Sequence, residues 1–176
     1  MQAHMQTHDG VLSEHALWKL LTDYESLGKD IQFTELTVTS SRRFEDWRDH
    51  QVFLKKRKAE MKMGKTLNLP SLPEYETYQS DYIKDFYTLA FSHPSVTSIT
   101  FWNLSDRNAW RGHAGGLLDD DLEPKKAYYT LKDLIKNKWH TSVAKTIKPG
   151  ETLTFNGFFG DYLSLIHISE PTRRTD

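Results

Sequence analysis

IQFTELTVT, residues 31–39, is rich in β-branched and aromatic side chains and carries a glutamate at its centre. Strict period-two alternation places Ile31, Phe33, Glu35 and Thr37 on one side of the expected strand and Thr34, Leu36 and Val38 on the other. The strand therefore presents a carboxylate in mid-course. Upstream, Ser13 is a good N-cap, and Ala16, Leu17, Leu20, Leu21, Tyr24 and Leu27 recur at helical spacing before Gly28 closes the helix. Before that helix, Met1 to Met5 is a short strand fragment and His8-Asp9-Gly10 a turn. Downstream, the spacing of Tyr82, Ile83, Phe86, Leu89 and Ala90 predicts a helix over residues 78–92, stopped by His93-Pro94. Residues 96–104 then alternate as a strand, and Pro124 opens a last helix to about Trp139 through Ala127, Tyr128, Leu131, Leu134 and Ile135.

The order is strand, helix, strand, helix, strand, helix. Connections long enough for crossovers argue for parallel strands covered by helices, an α/β sheet or barrel. Residues 40–77 form an insertion, with a charged helix over 44–63 followed by Gly64 and a loop holding Pro70 and Pro73. The expected domain layout is an α/β unit over residues 1–140 and a small β appendage over 141–162. Residues 163–173, LSLIHISEPTR, are identical to the translation of a common sequencing-library adapter, so 163–176 are set aside as an artefactual tail.

Composition narrows the function classes. With 23 basic and 24 acidic residues the formal net charge is −1, which provides no long-range field for nucleic acid or an anionic membrane. Cysteine is absent, excluding disulfides and thiolate metal sites. No apolar run approaches a membrane span, and no basic-then-apolar leader opens the chain. The eight His show no HExxH spacing, and no metal or other cofactor is expected. Gly112-His113-Ala114-Gly115-Gly116 lacks a phosphate-binding fingerprint, and the Lys55-Lys56-Arg57-Lys58 run is surrounded by acids, as on a solvated helix face. Nothing in the sequence bears on oligomeric state.

Taken one at a time, Glu35 fits an exposed edge strand, His4 a satisfied buried histidine, Trp102 and Trp110 a core, and Arg111 a surface ion pair. Their conjunction is more specific. Phe33-Thr34-Glu35-Leu36, Gln2-Ala3-His4, His93-Pro94-Ser95-Val96 through Trp102 to Arg111, and Leu117-Leu118-Asp119 with Pro124 to Tyr129 follow one another at compatible spacing. Together they resemble the sixth strand to the last helix of glycoside hydrolase family 10, the endo-β-1,4-xylanases; Phe155 to Tyr162 resembles a tail found in some members.

That resemblance implies the C-terminal part of a (β/α)8 barrel and a retaining hydrolysis of internal β-1,4 bonds in xylan or xylo-oligosaccharides. It implies Glu35 as nucleophile, His4 as the group that orients it, and Gln2, Trp102, Trp110 and Arg111 as substrate-binding residues. Related barrel glycosidases acting on other β-glycans, and a non-catalytic carbohydrate-binding remnant, share these features. Thr37, Asn103 and Ala109 depart from the family pattern, where Asp, Gly and Ser are usual. The family's acid/base glutamate follows an asparagine at the end of the fourth strand, and this sequence has no such pair on a strand. The expectation is therefore an inactive fragment, poorly soluble alone, of a secreted or periplasmic enzyme.

Overall fold

The computed structural model describes residues 1–5, 11–158 and 160–165. It divides into two units, residues 1–138 and 139–176. The expected turn at His8-Asp9-Gly10 and residues 166–176 of the tail lie outside the described residues.

In the first unit, strands β1 (Gln2–Met5), β2 (Ile31–Val38) and β3 (Val96–Phe101) form one parallel sheet in the order β1-β2-β3. Between them run α1 (Glu14–Glu25), α2 (Trp47–Lys62) and α3 (Pro73–Ser92), and α4 (Lys126–Asp133) follows, continuing into a π-helical turn, Leu134–Lys138. This is the alternating crossover pattern of a partial (β/α)8 barrel. Ser13 caps α1, its hydroxyl accepting from the Ala16 N–H at 3.2 Å, and Gly28 lies just beyond the helix at φ +62°. The third helix begins at Pro73, a turn before the expected start, because a proline at the first helical position loses no intrahelical bond. The charged insertion helix and β3 are each shorter than expected by a few terminal residues.

One face of the sheet is packed by helices. Leu17 and Leu21 of α1, and Ile83, Phe86 and Ala90 of α3, are buried with Ile31, Phe33, Leu36 and Val38 of β2. Phe33 meets Phe86 edge to face with ring centroids 4.9 Å apart. Strict alternation would then turn Glu35 toward the helices as well. It does not, because Phe33 pairs with Ile99 and Leu36 with Phe101, so three steps along β2 match two along β3. This is a β-bulge. The expected face of Ile31, Phe33, Glu35 and Thr37 is split there: Ile31 and Phe33 are packed into the core, whereas Glu35 and Thr37 lie on the side of His4.

The strand ends are tied by buried polar groups. Gln79 of α3 donates from Nε2 to the Val38 carbonyl at 2.7 Å and to that of Gly116 at 3.1 Å. Lys125, just before α4, donates from Nζ to Asp106 Oδ2 and to Ser40 Oγ, both at 2.8 Å. Asp106 Oδ1 accepts from the Gly116 N–H at 2.6 Å. Burial pushes the Asp106 carboxyl above its ordinary range, against the opposing pull of Lys125.

The second unit holds no helix or strand among residues 139–158 and 160–165. Among its described residues the β appendage expected over 141–162 is thus not formed as strands: they are almost all exposed, and an extended segment without ladder partners does not hold as a strand. Within this unit Phe155 and Tyr162 meet edge to face at 5.7 Å.

Lys125→Met should lower stability by about 3–5 kcal/mol at neutral pH, since it leaves a buried carboxylate uncompensated. The loss should shrink as pH falls and Asp106 takes up a proton. Urea midpoints of the two proteins measured at neutral and acid pH check both statements.

Candidate active site

The site lies on the sheet face opposite the helices. In-register pairing sets Gln2 beside Glu35 and His4 beside Thr37. Alternation along β1 buries Ala3 and Met5 and turns Gln2 and His4 to the same side as Glu35. Gln2 Nε2 donates to Glu35 Oε1 at 2.8 Å, and His4 Nε2 lies 3.1 Å from Glu35 Oε2. Each carboxylate oxygen is therefore held by a different residue of the neighbouring strand. The His4 and Glu35 side chains are each 20% exposed, so the carboxylate is sheltered but reachable.

The imidazole is itself fixed from behind, with Nδ1 3.1 Å from Thr37 Oγ1. An ionised carboxylate only accepts, so Nε2 carries the proton given to Glu35. Nδ1 accepts from the Thr37 hydroxyl when the ring is neutral and donates to it when the ring is charged, so the contact holds the ring in either form. Thr37 is 1% exposed, and its methyl group lies against Gly115. Sequence reasoning marked Thr37 only as a departure from a pattern. Its role needs the cross-strand register, which puts it directly opposite His4.

Two indoles flank this constellation. Trp102 follows β3, its N–H donating to the Leu36 carbonyl at 2.8 Å, and Trp110 stands in a short turn, Trp110–Gly112. The His4 ring lies 6.5 Å from Trp102 and 6.0 Å from Trp110, and the indoles are 6.4 Å apart, steeply inclined. They are 44% and 46% exposed, so neither is a core residue. The Arg111 guanidinium sits 4.1 Å above the Trp110 ring, a cation–π contact rather than the ion pair its type suggests when read alone. The structure thus brings together Gln2, His4, Glu35, Trp102, Trp110 and Arg111.

Behind the indoles, residues 112–116 are buried. A Cβ at Gly116 would stand 2.6 Å from Asp106 N and from Ser105 Cα, so this glycine run serves close packing and forms no open anion cradle. Among the described residues, no group of three or more His, Cys, Asp or Glu could hold a metal ion. No described helix is long and apolar enough to cross a membrane.

The chain matches the model of glycosyl hydrolase family 10 over residues 1–134. Xylanase 10B of Thermotoga maritima has a similar fold, with a TM-score of 0.51 at 21% identity, over 77% of this chain and 36% of that one. A mutant protein solved in complex with xylotriose is 27% identical, with a TM-score of 0.50 over 74% of this chain and 38% of its own. The anti-sigma-I factor RsgI6 of Acetivibrio thermocellus is 31% identical over 103 residues, 54% of this chain and 13% of that protein. The chain therefore spans well under half the length of each of these relatives.

Gly116→Ala should cost about 1–3 kcal/mol, because the added methyl meets backbone that cannot step aside. Chemical denaturation reads the loss. Tryptophan fluorescence should change with it, because the displaced segment leads back to Trp110.

Proposed function

The chain belongs to glycosyl hydrolase family 10, and we propose that it forms part of a retaining endo-β-1,4-xylanase in which Glu35 is the nucleophile. The observation that carries this reading is the double hold on the carboxylate. Gln2 and His4 each occupy one oxygen, so the group is oriented before substrate arrives. The Glu35 carboxylate attacks the anomeric carbon and expels the leaving sugar oxygen, giving a covalent glycosyl-enzyme that water later cleaves with net retention. His4 keeps the attacking oxygen in place.

A retaining glycosidase needs a second carboxyl about 5–5.5 Å from the first to protonate the leaving oxygen. We assign that role to a part of the barrel outside these three strands, and expect the chain on its own to have no turnover. Trp102 and Trp110 offer flat apolar surface on which xylose rings stack, and Arg111 stiffens the Trp110 platform from the opposite face. Xylotriose, the ligand of one structural relative, is the size of sugar we assign to this groove.

One observation favours a second reading, in which the groove binds β-glycan without cleaving it: the anti-sigma-I factor whose sequence this chain resembles carries a regulatory name. The readings separate on the full-length polypeptide. A 2-fluoro-xylobioside carrying a good leaving group should label Glu35, as peptide mass spectrometry would show. Glu35→Gln should lower xylan turnover by several orders of magnitude with little change in thermal midpoint. Stable xylotriose binding with no turnover in either protein would establish the binding module, and a label on a different carboxylate would displace Glu35 as nucleophile.

A further inference from the structure

The insertion helix α2 is held by an unusual contact. Of its side chains only His50 and Phe53 are buried, so it has little apolar surface with which to dock. His50, fully buried, points Nε2 at Nε2 of His113, itself 2% exposed, across 3.1 Å. Phe44 stacks on the His50 ring at 4.7 Å and meets that of His113 edge-on at 5.3 Å, while Trp47 and Phe53 pack against the same pair. Neither Nδ1 has a hydrogen-bond partner.

A nitrogen-to-nitrogen bond of this kind needs one Nε2–H donor and one Nε2 lone pair. Burial and the nearby positive groups lower the pKa of both imidazoles, which favours the arrangement in which both rings are neutral and in opposite tautomers. A proton added to the acceptor Nε2 removes the bond, and one added to the donor ring's Nδ1, the one other nitrogen with a free lone pair, places a cation where no carboxylate accepts from it. The charged groups facing the pair are Arg111 from the Trp110 turn, Arg57 from the same helix, and Asp49 one residue before His50. The two guanidiniums oppose protonation. Asp49 favours it, but its Oδ2 already accepts from Arg42 at 3.2 Å.

We infer that the His50–His113 contact is an acid-sensitive latch, through which α2 docks on the buried segment 112–116 behind Trp110. When the contact is lost, α2 separates from that segment. Residues 112 and 114 keep their ties to Leu69 and Ser40, whose N–H groups donate to the Gly112 and Ala114 carbonyls at 2.9 and 2.7 Å. Acid therefore releases the helix rather than the whole loop. The inference does not depend on the glycosidase reading, since no sugar takes part.

The sign follows from linkage. Burial, with the neighbouring positive groups, lowers His113 to about 3 and lowers His50 from its ordinary 6.5. The latched form is fully favoured above about pH 6.5, where both states are neutral, and loses ground as pH falls toward 3. Each imidazole that the released form protonates contributes close to tenfold per pH unit.

Amide hydrogen exchange on the complete chain, corrected for intrinsic rates, tests the latch. Between pH 7.5 and pH 5 the opening constant of α2 should rise about 30-fold or more, with α3 as internal reference. In the double variant His50→Leu/His113→Leu this pH dependence should vanish. Should that variant not fold, ring nitrogen shifts of the unaltered chain decide, by showing both imidazoles neutral and in opposite tautomers while α2 is docked. Flat α2 protection across the range, an unaltered pH dependence in the double variant, or either imidazole titrating near 6.5 with α2 still protected would overturn the inference.

Discussion

One extra residue in β2 governs the site. Between Phe33 and Leu36 the central strand takes three steps where its neighbour takes two, and the side chains after the bulge change faces. Without it, packing Phe33 on Phe86 and orienting Glu35 toward His4 would be incompatible, because a regular strand presents residues two apart on the same side. Burying a phenylalanine contributes about 2–3 kcal/mol, and forcing a carboxylate into the same apolar layer would cost more than that. The bulge resolves the conflict by giving the hydrophobic layer residues 31, 33, 36 and 38 and the groove residues 35 and 37.

A bulge in a strand with loose ends would let the register slip. Here the strand's end is held by buried polar groups from several elements. Gln79 bonds the Val38 carbonyl, and Ser40, two residues on, both accepts from Lys125 and donates to the Ala114 carbonyl. Lys125 in turn neutralises Asp106, which fixes Gly116. Helix α3, the entry to α4 and the loop after β3 therefore converge on Val38 and Ser40 at the end of the strand. A one-residue slip of β2 would break the Gln79–Val38, Lys125–Ser40 and Ser40–Ala114 bonds together while the Lys125–Asp106 pair stayed in place.

The parts of this arrangement visible in the sequence are those written in local chemistry. Ser13 as a cap, the helical spacing from Leu17 to Leu21, the β-rich run through Glu35 and the stop at His93-Pro94 depend on residues within a few positions of one another, and each has its counterpart in the structure. The grouping of Gln2, His4, Glu35 and the two indoles is what the resemblance to glycoside hydrolase family 10 implies, and in the structure Gln2 and His4 hold the Glu35 carboxylate while both indoles lie near the His4 ring. What the sequence concealed depends on distant pairing. The bulge exists only relative to β3, Thr37 matters only because His4 stands opposite it, and His50 meets His113 across 63 positions. The segment around Phe155 alternates well enough to suggest a strand, but alternation does not supply a partner.

The sheet itself constrains what the groove can do. Parallel sheets are ordinarily covered on both faces, yet among the described residues the groove side is covered in part: Thr37 is buried against Gly115, whereas Gln2, Gln32 and Thr34 remain exposed. In the xylanase of which this chain spans 36%, the same three-stranded portion is one part of a larger fold. An open face leaves Glu35 in a wetter setting than a closed groove would provide, and water weakens every charge interaction that orients it. The double hold from Gln2 and His4 is the part of the machinery that survives this exposure, because it is built within two adjacent strands. Shelter from solvent, and the proton that a leaving sugar requires, depend on surfaces facing these strands from elsewhere in the enzyme we propose. Orientation of the Glu35 carboxylate is thus separable in this fold from the catalytic role we propose for it: the first is built within two adjacent strands, and the second would draw on surfaces beyond them.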